Sequence, residues 1–197
     1  MIFDSHAHYD DEAFDADREE LFAAMEDAGV SAIVNPGIDL PSSKRALAFA
    51  EQYPFVYAAV GYHPEDLAKY RPEDFPALCA LAEHPKCVAI GEIGLDYYWD
   101  DSHKEEQKEL FGRQIELALT LDKPVIVHDR EAHGDSLDII RDYPTLRGVF
   151  HCFSGSAEMA KELLKRGWYL GFDGPITYKN ARRSPEVVAI TPLDRIV

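Results

Sequence analysis

Eight short apolar or β-branched runs alternate with amphipathic segments along the whole chain, and this rhythm limits the fold more than any other feature. The runs are "MIFDSH", "SAIVNPG", "FVYAAVGYH", "CVAIGEIG", "PVIVHD", "GVFHCF", "WYLGFDG" and "DRIV". Between them lie segments with helical spacing: "DADREELFAAMEDAG", "SSKRALAFAEQ", "EDFPALCALAEH", "SHKEEQKELFGRQIELALTLD", "DSLDIIRDY", "SAEMAKELLKRG" and "SPEVVAI". The longest puts Leu110, Ile115, Leu117, Leu119 and Leu121 on one apolar face with Lys and Glu opposite. Asp101 and Ser102, ahead of its Glu-rich first turn, suit an N-cap. Such alternation favours parallel strands joined by right-handed crossovers. Seven full units and an eighth strand predict an α/β fold, the TIM (β/α)8 barrel, in a single domain over residues 1–197. The competitor is an open doubly wound sheet, which often carries a Gly-rich phosphate loop after its first strand. "DSHAHYDD" is nothing like that loop.

In a barrel of this kind, active sites form at the C-terminal ends of the strands. The first strand ends in His6 and His8, which share one face if the strand continues through them. The third ends in His63, the fourth in Glu92, the fifth in His128, Asp129 and Arg130, and the sixth in His151. His84, His103 and His133 fall in helices or loops. Taken singly, a strand-end histidine is an ordinary hydrogen-bonded residue. Taken together, four imidazoles and a carboxylate converging on one rim are costly unpaired and useful as metal ligands. They are too many for one open zinc site. Two ions explain the count: His6 and His8 on one, His128 and His151 on the other, and Glu92 bridging. Two divalent ions about 4 Å apart can activate water and stabilise attacking and leaving oxygens, chemistry suited to hydrolysis of phosphate esters. Zinc, manganese, magnesium and iron all remain open for such ligands.

Charge works against a polyanionic partner. The formal net charge is −16, a field that repels nucleic acid, whose binding rests on Lys and Arg at phosphates. Bound divalent cations are the local charges able to overcome it. No apolar run approaches the roughly 20 residues needed to span a membrane, and no basic-then-apolar leader opens the chain. The three cysteines, Cys79, Cys87 and Cys152, form no CxxC pair. They read as small buried hydrophobes in a reducing, cytoplasmic compartment.

The motifs "DSHAHYD", "GYHPE", "IGEIGLDYYWD", "QKELFGRQIELA", "PVIVHDREA", "FHCFSGS", "GPITYKN" and "PLDRIV", in this order and over the whole chain, resemble the TatD-type metal-dependent deoxyribonucleases among the amidohydrolase-like barrels. The resemblance implies a dinuclear site and hydrolysis of DNA phosphodiesters, often as a 3′-5′ exonuclease. It implies His6, His8, Glu92, His128 and His151 as ligands, and places His63, Arg130 and Lys179 where substrate phosphate is handled. A guanidinium fork matches phosphate oxygens; the alternative for Arg130 is a salt bridge to Asp129, Glu131 or Asp135. The basic cluster Lys179, Arg182 and Arg183, with Tyr178 as a stacking surface, reads equally as a substrate contact or a solvated loop. The resemblance also implies a further catalytic Asp after "LDRIV", beyond Val197. The expectation is therefore a barrel with its eighth strand cut and its last helix missing, which binds metal but turns over poorly, since losing a general base costs about 10²- to 10⁴-fold. The rival readings are a dinuclear amide or ester hydrolase on the same barrel, and a non-catalytic relative.

Overall fold

The computed structural model describes residues 2–99 and 101–197. Its strands are β1 (Ile2–Asp4), β2 (Val30–Pro36), β3 (Val56–Val60), β4 (Cys87–Asp96), β5 (Val125–Arg130), β6 (Gly148–Phe150) and β7 (Tyr169–Leu170). All are parallel and hydrogen-bonded in sequence order. A helix follows each: α1 (Arg18–Asp27), α2 (Leu40–Gln52), α3 (Phe75–Ala82), α4 (Lys104–Thr120), α5 (His133–Asp142), α6 (Ala157–Lys165) and α7 (Arg183–Ile190).

The sheet is strongly curled. His6 follows β1 and His151 follows β6. In a flat sheet, five strand intervals would separate them by about 24 Å, yet their rings stack at 4.0 Å. The strand ends therefore converge on one rim, as in a partly closed barrel. Alternation along the strands sorts two apolar layers. Ile33, Ala58, Ile90, Val125 and Phe150 pack outward with helical residues such as Phe22, Leu47, Leu78, Phe111 and Leu163. Val34, Ala59, Ala89 and Ile126 pack together on the inner face.

Two expected features differ. "DRIV" does not run as a strand. Residues Leu193–Arg195 form a 3-10 turn after Pro192, so pairing begins only at Ile196, which bridges Leu170 in parallel. The N-cap of α4 is His103, with no side-chain capping bond, and not Asp101 or Ser102. Asp101 instead lies 3.9 Å from the Lys104 ammonium, and the Ser102 hydroxyl lies 2.9 Å from His103 Nδ1.

The helix α4 fixes the rim through two buried glutamines, Gln107 and Gln114. Seven residues are about two turns, so both face the sheet. Gln114 accepts from the Tyr62 N–H at 2.7 Å and donates to the Tyr62 carbonyl at 3.1 Å, just past β3. Gln107 makes the same pair of bonds to the Asp96 backbone at the end of β4, both at 2.9 Å. Each glutamine satisfies one donor and one acceptor where a strand leaves the sheet. Replacing Gln114 by Ala leaves both Tyr62 backbone groups without that partner. The expected loss is about 2–4 kcal/mol, read from urea unfolding; a loss below about 0.5 kcal/mol would show that the bonds are dispensable.

Candidate metal centre

The strand ends deliver five imidazoles to one carboxylate. β1 stops at Asp4, so His6 and His8 stand in the loop beyond it and not on a strand face. Asp4 shapes that loop by accepting from the His6 N–H at 3.2 Å and the Tyr9 hydroxyl at 3.3 Å. The two rings still meet, with Nε2 atoms 3.2 Å apart. His63 caps the 3-10 turn Pro64–Lys69, where its Nδ1 accepts from the Glu65 N–H at 3.2 Å, leaving Nε2 to face the rim. His151 directly follows β6. His128 lies within β5, opposite Gly94 of β4. Gly94 has φ +144°, and a Cβ there would collide with the His128 carbonyl oxygen. Glycine thus permits the close approach of these strands.

Glu92 is 3% exposed, and lies in β4 where the pairing register shifts between Ile90 and Ile93. The Gly91–Glu92 peptide bond is cis. Its Oε2 lies 3.2 Å from His6 Nε2 and 3.5 Å from His8 Nε2. Its Oε1 lies 2.5 Å from His151 Nε2, 3.0 Å from His128 Nδ1 and 3.3 Å from His63 Nε2. His63, expected to handle substrate, is therefore brought into the same shell as the expected ligands.

The donor chemistry fits divalent cations. A carboxylate offers about four lone-pair sites, fewer than the five ring nitrogens aimed at it. Two of those nitrogens, His128 Nδ1 and His151 Nε2, also lie only 3.4 Å from each other. Cations shared between Glu92 and the rings would satisfy this set of nitrogen and oxygen donors. Among the described residues, three groups have ligand atoms within 4.8 Å of one another: His6, Glu92 and His151; His63, Glu92 and His128; and Glu65, Asp96 and His128.

Electrostatics hold the Glu92 carboxylate charged and split the rings around it. Burial opposes ionisation of Glu92, but His151, His128 and His6 outweigh it and hold the carboxyl well below its usual range. Burial pushes the His6 ring down. At His8 burial also disfavours the charge, yet Glu92, Asp10 and Asp11 raise it. At His128 burial is outweighed by hydrogen bonds to Asp96 and Glu92, which push it up to about 9.

Asp96 is a residue that strand-end reading missed. It is 1% exposed, and its Oδ2 accepts from His128 Nε2 at 2.9 Å. Its Oδ1 accepts from the Tyr98 and Trp99 N–H groups at 2.9 and 3.1 Å. Burial opposes its charge, but these bonds hold the carboxyl down at about 2. A carboxylate on the far nitrogen fixes the ring so that Nδ1 faces Glu92. The available signal was spacing, because residues four apart in a strand share a face.

The remaining expected substrate residues make no contact with Glu92 among the described residues. Among the described residues no carboxylate pairs with Arg130: Asp129 holds His133 and Ser136, and Asp135 holds Tyr97 and Lys108. The Arg130 guanidinium instead stacks on Tyr98, 3.9 Å from the ring centroid. Lys179, Arg182 and Arg183 are exposed on the segment leading into α7, and none contacts Glu92 among the described residues. Of the cysteines only Cys87 is fully buried. Cys152, beside His151, is half-buried, and burial together with Asp173 pushes its thiol up to about 11. A cleft of about 830 Å³ opens over Glu92, His8 and His63, and carries Asp10, Asp11, Glu12, Asp15, Glu65 and Asp66 against only Arg45 and Lys69.

Asp96→Asn keeps the side chain's shape and removes the charge behind His128. Divalent-cation affinity is expected to fall about 10- to 100-fold, measured by titration calorimetry against wild type. An unchanged affinity would remove Asp96 from the centre.

The model of the family described as "TatD related DNase" matches residues 3–197. The uncharacterized metal-dependent hydrolase YabD of Bacillus subtilis (strain 168) is 44% identical over 199 residues, covering 100% of this chain and 78% of that protein. The 3′-5′ ssDNA/RNA exonuclease TatD of Cronobacter turicensis is 38% identical over 194 residues, covering 98% of this chain and 73% of the relative. Among solved structures, YjjV, a TatD homologue of Escherichia coli K12, superposes with a TM-score of 0.93 at 35% identity, covering 100% of this chain and 77% of that one. With its family, its fold and its cluster of imidazoles in agreement, the chain belongs to the TatD family of metal-dependent hydrolases.

Proposed function

We propose that this chain hydrolyses phosphodiester bonds at the ends of DNA single strands, as a 3′-5′ exodeoxyribonuclease with two divalent ions. One observation carries the reading: Glu92 presents one oxygen to His6 and His8 and the other to His63, His128 and His151. In this reading His6, His8, Glu92, His128 and His151 would hold the ions. When bound, such ions supply Lewis-acid activation of water and neutralise charge on phosphoryl oxygens.

The chain's own groups set the rest. His63 lies against the cluster, where its ring would help orient a phosphate held beside Glu92. Arg130, free of carboxylate partners among the described residues, offers the planar fork that phosphate oxygens accept. Lys179 lies farther out and meets the strand beyond the scissile bond. The similarity to the relative named a 3′-5′ ssDNA/RNA exonuclease supports this substrate class.

The acid-lined cleft favours a second reading, an amide or ester hydrolase acting on an uncharged substrate. At a net charge of −16, such a substrate would feel no repulsion. The two readings separate in one assay. Labelled single-stranded DNA and RNA, and a panel of small amides and esters, are incubated with zinc, manganese, magnesium or iron. The expected outcome is slow, chelator-sensitive release of mononucleotides from 3′ ends of DNA, abolished by Glu92→Ala. Turnover of amides or esters with no nucleotide released would establish the second reading instead.

A further inference from the structure

The turn that follows β4 exposes two large aromatic side chains beside the metal centre. Tyr98 is 55% and Trp99 is 64% exposed. Their rings meet edge to face, with centroids 4.8 Å apart and planes at 86°. Arg130 joins them from β5, its guanidinium 3.9 Å from the Tyr98 centroid and 5.4 Å from that of Trp99. Exposing adjacent large aromatics forgoes burial of much apolar area, and this pair contributes little to the core.

The pair is nonetheless held in place. Asp96 Oδ1 accepts from both the Tyr98 and the Trp99 backbone N–H, while its Oδ2 accepts from His128. One buried carboxylate therefore fixes the aromatic turn and a ring of the Glu92 cluster together. The guanidinium lies over the Tyr98 ring, and its N–H groups meet no carboxylate among the described residues. An aromatic face and an anion-seeking edge thus stand side by side, next to the cluster.

We propose that Tyr98, Trp99 and Arg130 form a nucleotide subsite, in which a base of a single strand stacks on Trp99 and the adjoining phosphate meets the edge of Arg130. This rests on the nucleic-acid reading of the centre and says how that substrate is gripped. Stacking suits this protein because it does not depend on charge. The cleft on the β1–β3 side is acidic and repels a polyanion, so the strand gains affinity on the β4–β5 side, where every base can offer a π-face. The subsite tolerates any base and prefers strands whose bases are unpaired.

The test compares two ligands of equal length and charge. One is a cleavage-resistant phosphorothioate oligothymidylate; the other is its abasic counterpart. Binding is followed by polarisation of a labelled strand, with a divalent cation present. Wild type is expected to bind the thymidylate at least about tenfold more tightly, the weight of a base–aromatic stack. The double variant Tyr98→Ala/Trp99→Ala is expected to lose that preference, and Trp99→Phe to keep part of it. Quenching of Trp99 fluorescence gives a direct second signal, because the other tryptophan, Trp168, is 1% exposed. Equal affinity for the two ligands, or no quenching by the thymidylate, would overturn the subsite. Base-selective binding without DNA cleavage would uphold the subsite and reject the nuclease reading; cleavage without base selectivity would do the reverse.

Discussion

The Glu92 carboxylate is the constraint around which the rim is arranged. A buried, isolated carboxylate would neutralise rather than stay ionised. Here burial is outweighed by rings from the ends of β1, β5 and β6. Those rings reach one carboxylate only if the sheet curls. The curl is therefore as necessary to the site as the residues themselves, and the stacking of His6 on His151 at 4.0 Å is its clearest sign.

Around this carboxylate stands a layer of groups that touch no reacting atom. Gln114 and Gln107 bind the backbone where β3 and β4 leave the sheet. Gly94 lets β5 come close enough to aim His128, and Asp96 holds that ring from behind. Asp96 links inward and outward, because the same carboxylate orders the exposed Tyr98–Trp99 turn. Position at the rim is thus transmitted by buried hydrogen bonds and close packing, which are less sensitive to salt than surface ion pairs.

Much of this was legible in the sequence. The alternation of runs located seven strands and seven helices, because buried parallel strands read as short apolar runs and their crossovers as amphipathic ones. The histidines and Glu92 stood out because polar residues ending apolar runs are unusual. Besides Asp96, three things were hidden. The "DSHAH" rings meet through a loop shaped by Asp4, and strand periodicity cannot describe a loop. His63 reads as a substrate contact until the curl brings its Nε2 to 3.3 Å from Glu92 and its ring against that of His128 across β4. Gln107 and Gln114 look like surface residues of an amphipathic helix, since nothing in local spacing shows that they serve the backbone of another element. Arg130 was ambiguous for the same reason: its neighbours in sequence are acidic, but His133, Ser136, Tyr97 and Lys108 occupy Asp129 and Asp135.

The central claim is that one carboxylate serves two cations, and counting bound ions tests it most directly. Native mass spectrometry of the chain reconstituted with zinc or manganese should show two ions per chain. Glu92→Gln, which keeps the shape and removes the shared charge, should leave one weakly held ion or none. A single ion in wild type, or two ions still bound tightly to Glu92→Gln, would contradict the account.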